Sequence, residues 1–340
     1  MYSKLQELPP KWARFCLNIQ SCMEEMTGQP IKDSHLLIAF SAGPDSMALL
    51  RILDFVRQRA RIRLSAFHVN HMLRDEARTE QDFAVQECSR LGIPIQWVEV
   101  DVRSFAKAEK IGTEEAGRKL RYEHLLKAAS RDNADYILTG HQLNDLAEDM
   151  VMRLCRGTGW PGLAGMSGFD PKRKLLRPLI LTPKQSILDF LDVIDQPYIK
   201  DPSNKEMSFL RNRVRHELIP LLENINPGFL KSASGLWKLG KIDTEYWDGQ
   251  ISQVKVVESG DGKWLPQESL LSLSQAARLR LYKDVLDRLG PGQVLLGNLL
   301  DLDRLWAKGD GNREVGFPGS KIARIVKKGI LFEQNDIYPT

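Results

Sequence analysis

The chain has 340 residues and only four cysteines, with no CxxC pair. Cys16, Cys22, Cys88 and Cys155 are scattered, which argues against a zinc knuckle or an iron–sulfur cluster and for reduced thiols. No apolar run approaches the roughly 20 residues that a spanning helix needs, so no membrane association is expected. Residues 1–14 carry Lys4, Glu7, Lys11 and two prolines but no apolar h-region, and no signal peptide is expected there. The expected compartment is the cytoplasm. Excess charge is also lacking: 48 basic and 44 acidic side chains leave a net +4. That total does not mark a nucleic-acid binder, although a local basic face fits within it. There is no internal repeat and no low-complexity segment. What remains is an ordinary globular composition, 42% hydrophobic and 27% charged, long enough for two or three domains.

From about residue 35 to 158, short apolar runs alternate with longer segments of helical period. The candidate strands are Leu36–Phe40, Ile62–Val69, Ile95–Val100 and Tyr136–Thr139. The candidate helices are roughly Ser46–Arg59, Glu76–Leu91, Thr113–Arg131 and Leu143–Arg156. Alternation of this kind predicts an α/β fold, a parallel sheet with helices on both faces and ligands at the carboxyl ends of the strands. A second stretch, from Lys174 to about Asn226, holds a helix at Pro183–Ile194 and a basic helix at about Phe209–Leu222, with a kink expected at Pro220. Beyond Pro227-Gly228 the pattern is mostly helical, over roughly Phe229–Val257, Gln267–Arg288 and Asn298–Ala307, and ends in a hairpin, Lys321–Val326 with Ile330–Phe332. Three parts are expected: an N-terminal helical extension 1–34, an α/β domain 35–226, and a smaller, mostly helical C-terminal domain 227–340.

The first strand runs into Ser41-Ala42-Gly43-Pro44-Asp45-Ser46 and then into a helix. A strand, a tight loop of small residues and a helix N-terminus form an anion cradle, with backbone N–H groups, the helix dipole and two hydroxyls facing a phosphate. No Lys-Ser or Lys-Thr pair closes the loop, so it is not a Walker A sequence. Asp45 would repel phosphate unless a cation such as Mg²⁺ intervenes; it also suits a helix N-cap.

His68-Val69-Asn70-His71 ends the second strand, and neither histidine is expected to hold a metal. Arg118 and Arg121 share a helix face, a pairing suited to polyphosphate or to a solvated charged helix. After the fourth strand, His141, Asp145 and Glu148 fall on one helical stripe, where Asp145 suits Mg²⁺ and Glu148 an amine. An acidic face favoured by the helix dipole explains them equally well in isolation. The later Gly157 and Gly159 belong to a formal GxGxxG that follows a helix instead of joining strand to helix, so it is not a Rossmann turn. In the basic helix, Arg211 and Arg215 flank the Val214, Leu218 and Leu221 stripe, which suits phosphate contacts or a solvated face.

The strand–SxGxDS–helix resembles the PP-loop of N-type ATP pyrophosphatases (adenine nucleotide alpha hydrolase-like). Taken in order, SAGPDS, HVNHMLR, EEAGRKLRY, GHQLNDLAED, RGTGWPGLAGM, Arg177-Pro178-Leu179, Asp201-Pro202-Ser203-Asn204 and Arg211-Asn212-Arg213-Val214-Arg215-His216-Glu217-Leu218 resemble the tRNA(Ile)-lysidine synthase family over residues 35–228. The resemblance implies a ligase that adenylates the wobble cytidine in the CAU anticodon of an isoleucine tRNA and then transfers free L-lysine. It implies ATP and Mg²⁺ as cofactors. Ser41, Ala42, Gly43, Pro44, Asp45, Ser46, His68, Gly157 and Gly159 would hold ATP, and Asp45 and Asp145 the Mg²⁺. Asp45, Arg118, Arg121, His141, Asp145 and Glu148 would form the catalytic set, with Glu148 on the lysine amine. Arg211, Arg213 and Arg215 would contact tRNA. A homodimer is compatible with this reading.

Three positions depart from the family pattern. Ala42 and Met72 stand where glycine is usual, and Asn144 replaces the first of two aspartates. Ala42 is easily accommodated only at negative φ. Two alternatives remain, a tRNA 2-thiolase of the same superfamily and a non-catalytic nucleotide- or RNA-binding relative. The missing CxxC argues against the cytidine thiolase type, and the retained carboxylates and arginines argue against the second.

Overall fold

The computed structural model describes residues 2–72, 77–199, 210–260, 262–309 and 311–334. Leu73, Arg74, Glu76, Asp201-Pro202-Ser203-Asn204 and Phe209, used in the reading above, lie outside the described residues. The chain divides into two compact units, Met1–Asp149 with Met166–Ser234, and Met150–Gly165 with Gly235–Thr340.

In the first unit the elements follow in the order α1 (Pro10–Thr27), β1 (His35–Ala39), α2 (Pro44–Ala60), β2 (Arg63–Asn70), α3 (Ala77–Arg90), β3 (Ile95–Glu99), α4 (Val102–Glu109), α5 (Thr113–Arg131), β4 (Tyr136–Leu138), the first half of α6 (Leu143–Cys155), β5 (Phe169–Asp170), β6 (Leu175–Leu176), α7 (Lys184–Val193), α8 (Leu210–Arg213) and α9 (Ile219–Ile225). The sheet order is β3-β2-β1-β4-β6-β5, parallel except for the edge strand β5. This is the parallel α/β sheet expected from the alternating pattern. Leu36 and Ile38 of β1 pack into one apolar cluster and Leu37 into another, so both faces are covered, as alternate residues of a central strand require.

Residues 1–34 are not a separate extension. Trp12, Cys16, Ile19 and Met23 of α1 lie at helical spacing and enter the same core as α2 and Phe190, with the Trp12 and Phe190 rings 5.7 Å apart. Burial pushes the Cys16 and Cys88 thiols up to about 12, which suits inert reduced side chains. The basic helix is not simply kinked at Pro220. A π-helical turn, Val214–Leu218, separates α8 from α9, with Ile219 N–H bonded to Val214 O. Pro220 follows directly and has no N–H to continue the ordinary ladder, so the wider turn absorbs the defect.

The second unit holds most of α10 (Phe229–Ser252), then β7 (Val257–Ser259), β8 (Gly262–Pro266), α11 (Gln267–Leu271), α12 (Gln275–Leu289), α13 (Leu296–Ala307), β9 (Arg313–Phe317), β10 (Lys321–Val326) and β11 (Gly329–Gln334). The expected hairpin β10–β11 lies inside a five-stranded antiparallel sheet, β7-β8-β11-β10-β9. The expectation of helices plus one hairpin missed three strands. Arg313-Glu314-Val315-Gly316-Phe317 lacks an apolar run, and Gly262–Pro266 is short and ends in proline. Lys321 is 1% exposed and donates to the carbonyls of Leu286, Gly290 and Gly292 at 3.2, 3.2 and 3.0 Å, satisfying the C-terminal end of α12.

Candidate active site

A cleft of about 920 Å³ opens at the carboxyl ends of β1, β2 and β4. Ser41, Gly43, Asp45 and Ser46 line it, as do His68, His71, Arg121, His141, Asp145, Arg211 and Arg215. All belong to the first unit.

The loop between β1 and α2 is held from within. Ser46 Oγ donates to Gly43 O at 3.1 Å, accepts Ser41 N–H at 3.2 Å and lies 3.1 Å from Ser41 Oγ. Pro44 is the first residue of α2, where a missing N–H costs no helical bond. Ala42 is fully buried at φ 60°, and its carbonyl accepts Ile199 N–H at 3.0 Å. The negative φ that would have made this alanine easy to accommodate is not found; the loop keeps a glycine-like conformation on an alanine. Met72 shows the same substitution at φ 50°.

Gly140, which the sequence reading did not single out, has a mechanical reason. A Cβ there would lie 2.9 Å from both Asp45 C and Ser46 N. The end of β4 therefore presses directly on the first turn of α2.

Asp45 Oδ1 accepts a hydrogen bond from Lys184 Nζ at 2.7 Å. Burial raises the Asp45 carboxyl above the usual carboxylate range, Lys184 opposes the rise, and the charge of Asp145 adds to it. Lys184, the first residue of α7, was also missed; it is 139 positions from Asp45 and no local motif marks it. Its backbone N–H donates to Asn144 Oδ1 at 3.1 Å. Asn144 Oδ1 thus caps the start of α7, a contact that a carboxylate would make equally well, and nothing in the structure explains the amide at this position.

Asp145 and Glu148 lie on the first turns of α6, buried at 9% and 2% exposure. Asp145 Oδ2 accepts Gln142 N–H at 3.1 Å, and its Oδ1 accepts Nη2 of Arg211 and of Arg215 at 3.0 and 3.1 Å. Glu148 takes Arg211 Nε at 2.9 Å on Oε2, Arg215 Nε at 2.7 Å on Oε1 and Arg215 Nη2 at 3.0 Å on Oε2. Burial lowers both arginine pKa values, but the two carboxylates outweigh it and raise them. Arg211 and Arg215 thus sit on the carboxylate stripe; Arg213 is exposed and pairs with Glu217 at 3.4 Å.

Other basic groups share the cleft. Arg121 forms no carboxylate ion pair among the described residues, and burial, reinforced by Arg118 and Arg211, lowers its pKa. Arg118 is exposed and outside the cleft lining. His141 Nδ1 lies 2.8 Å from Thr139 Oγ1, and burial lowers its pKa to about 3. His68 Nδ1 donates to Phe40 O at 2.9 Å, and burial lowers its pKa too. Burial and the nearby Arg121 lower His71 to about 4; its buried Nδ1 has no hydrogen-bond partner among the described residues. All three imidazoles are neutral at physiological pH.

The donor set fits a hard divalent ion arriving with a polyphosphate: two carboxylates, Asp45 and Asp145, line the cleft beside the anion cradle, and the charge of Asp145 bears on Asp45. Among the described residues no group of three or more His, Cys, Asp or Glu could hold a metal by itself. Gly157 and Gly159 fall in the second unit.

A family model described as a PP-loop domain matches residues 15–222. A tRNA(Ile)-lysidine synthase of Nitratidesulfovibrio vulgaris is 42% identical over 333 residues, covering 92% of this chain and 96% of that protein. One from Petrotoga mobilis is 34% identical, covering 63% of this chain and 68% of the relative. Among solved structures, the U34-tRNA thiolase NcsA of Methanococcus maripaludis matches with a TM-score of 0.55 at 20% identity, over 67% of this chain and 79% of that one, which speaks to the fold alone.

Proposed function

We propose that this chain, which belongs to the tRNA(Ile)-lysidine synthase family of PP-loop proteins, joins free lysine to the wobble cytidine of a CAU-anticodon isoleucine tRNA at the expense of ATP. The cytidine 2-oxo oxygen is a poor leaving group. Its attack on the α-phosphorus of ATP expels pyrophosphate and turns it into a phosphoester oxygen. The lysine amine then adds at C2, loses a proton, and AMP departs.

Each step has residues suited to it. The N–H groups and hydroxyls of Ser41–Ser46 would bind the phosphates, and Arg121 would meet the charge that develops as pyrophosphate leaves. Asp45 and Asp145 would hold Mg²⁺, which neutralises phosphate charge when bound. The observation that carries the amine-transfer half is the state of Glu148: a buried carboxylate taking three N–H donors from two cations. It already binds nitrogen cations, so the lysine ammonium can be held by exchange with a guanidinium. The neutral His141 adds no competing positive charge beside the amine.

Pyrophosphate release from ATP tests the first half. It should require the CAU isoleucine tRNA and proceed without lysine, with AMP appearing once lysine is added. Pyrophosphate release with no tRNA dependence would overturn the reading.

A further inference from the structure

Outside the cleft, Tyr122 of α5 gathers an unusual amount of positive charge. The guanidinium carbons of Arg118, Arg121 and Arg173 lie 5.2, 5.5 and 5.7 Å from its ring centroid. The ring is buried, and Arg177, itself buried, also contributes to lowering the Tyr122 pKa. An aromatic ring attracts cations at its two faces only, so three guanidiniums around one ring are not balanced by the ring itself. Carboxylates do not supply the balance. Among the described residues Arg118 and Arg121 have no ion pair, and Arg173 has only Asp170, with Nη1 and Oδ2 3.9 Å apart.

Asp170 has another task. Its Oδ1 accepts the backbone N–H groups of Lys172 and Arg173 at 3.1 and 3.2 Å, which fixes the turn between β5 and β6. Arg173 is thereby presented from a rigid hairpin at the sheet edge, its side chain 53% exposed. Of the three arginines, Arg121 lines the cleft while Arg118 and Arg173 do not. The charge therefore runs continuously from the nucleotide site onto the surface. A mononucleotide held in the phosphate loop has no need of the two outer forks; an anionic polymer with one residue inserted in the cleft does.

We propose that Arg118 and Arg173, flanking Tyr122, form a phosphodiester clamp for the RNA strand adjoining the base that enters the cleft. The proposal rests on the reading that RNA is the substrate. Guanidinium forks match phosphate oxygens, and a base in a single-stranded loop can enter a pocket while its backbone stays outside. The contact carries no sequence information; it positions the strand.

The test uses the full chain with Arg173→Ala, Arg173→Lys and Arg173→Glu. Binding of a CAU isoleucine tRNA transcript is measured across a salt series, alongside binding of a non-hydrolysable ATP analogue. The proposal expects Arg173→Ala to weaken tRNA binding about fivefold at low salt and to reduce the slope of log K against log salt by about 0.7. Arg173→Glu should weaken it further and Arg173→Lys less, with the ATP analogue unaffected. Wild-type tRNA affinity and slope in Arg173→Ala, with lysine transfer intact, would overturn the clamp and leave the functional reading standing. An equal loss of ATP-analogue binding would assign Arg173 to the nucleotide site and also overturn it. If the wild type neither binds the tRNA nor transfers lysine to it, the functional reading falls and the clamp with it.

Discussion

Arg215 covers Glu148 with a two-pronged contact, Nε to Oε1 at 2.7 Å and Nη2 to Oε2 at 3.0 Å, while Arg211 Nε takes Oε2 at 2.9 Å. A carboxylate buried this deeply is tolerable only because it is paired. In the proposed reaction a substrate ammonium would replace part of that pairing, and Glu148 would serve both as structural anchor and as amine site.

Glu148→Gln keeps the shape of the side chain and removes its charge. Lysine transfer should fall on the order of 100-fold or more, while tRNA-dependent pyrophosphate release persists. Rapid-quench measurement of both products separates the steps, and an equal loss of the two would remove Glu148 from the amine role.

Lys184 works against the burial of Asp45. Lys184→Met should let the Asp45 pKa rise further, so its ionised form appears only at higher pH. The acid limb of the rate–pH profile for pyrophosphate release should therefore move to higher pH, with Lys184→Arg close to wild type. A profile unmoved by Lys184→Met would mean that the 2.7 Å contact does not govern Asp45.

The loop makes a steric prediction. Ala42 is buried at φ 60°, a region that strongly disfavours β-branched side chains. Ala42→Val should destabilise the protein by about 2 kcal/mol, whereas Ala42→Gly should still fold and bind ATP. Gly140→Ala should weaken ATP binding, because its methyl would push on the Asp45–Ser46 backbone. Denaturant titration and nucleotide binding check both.

His71 and His141 are held neutral, at about 4 and about 3, against an ordinary value near 6.5. Between those values the unfolded chain binds more protons than the folded one, so stability rises with pH and is lost as pH falls. Thermal melts should be flat above about pH 6.5 and decline progressively towards pH 4. His71→Phe should reduce the decline; an identical pH dependence in that variant would show that His71 is not held neutral.

Much of this site was legible in the sequence. Leu36–Phe40 and the small residues after it announced a strand and a phosphate loop, because a buried central strand must be apolar throughout and a tight anion-binding turn must be small. The stripe Asp145, Glu148 was legible from helical spacing. Lys184 was not, since its partner is remote in sequence and a lone lysine at a helix start carries no pattern. Arg211 and Arg215 were recognised as a pair and expected to contact tRNA. Spacing shows that two arginines share a helix side, but not that the side faces two buried carboxylates. The π-helical turn before Pro220 and the β7, β8 and β9 strands were likewise invisible, since short or charged segments owe their form to neighbours that only the fold supplies.

The most direct test is nucleoside mass spectrometry of the anticodon after incubating the protein with ATP, Mg²⁺, lysine and the CAU isoleucine tRNA. The account predicts that cytidine at the wobble position is converted to lysidine, dependent on both ATP and lysine. An unmodified wobble cytidine, with a known lysidine synthase active on the same tRNA preparation, would contradict it.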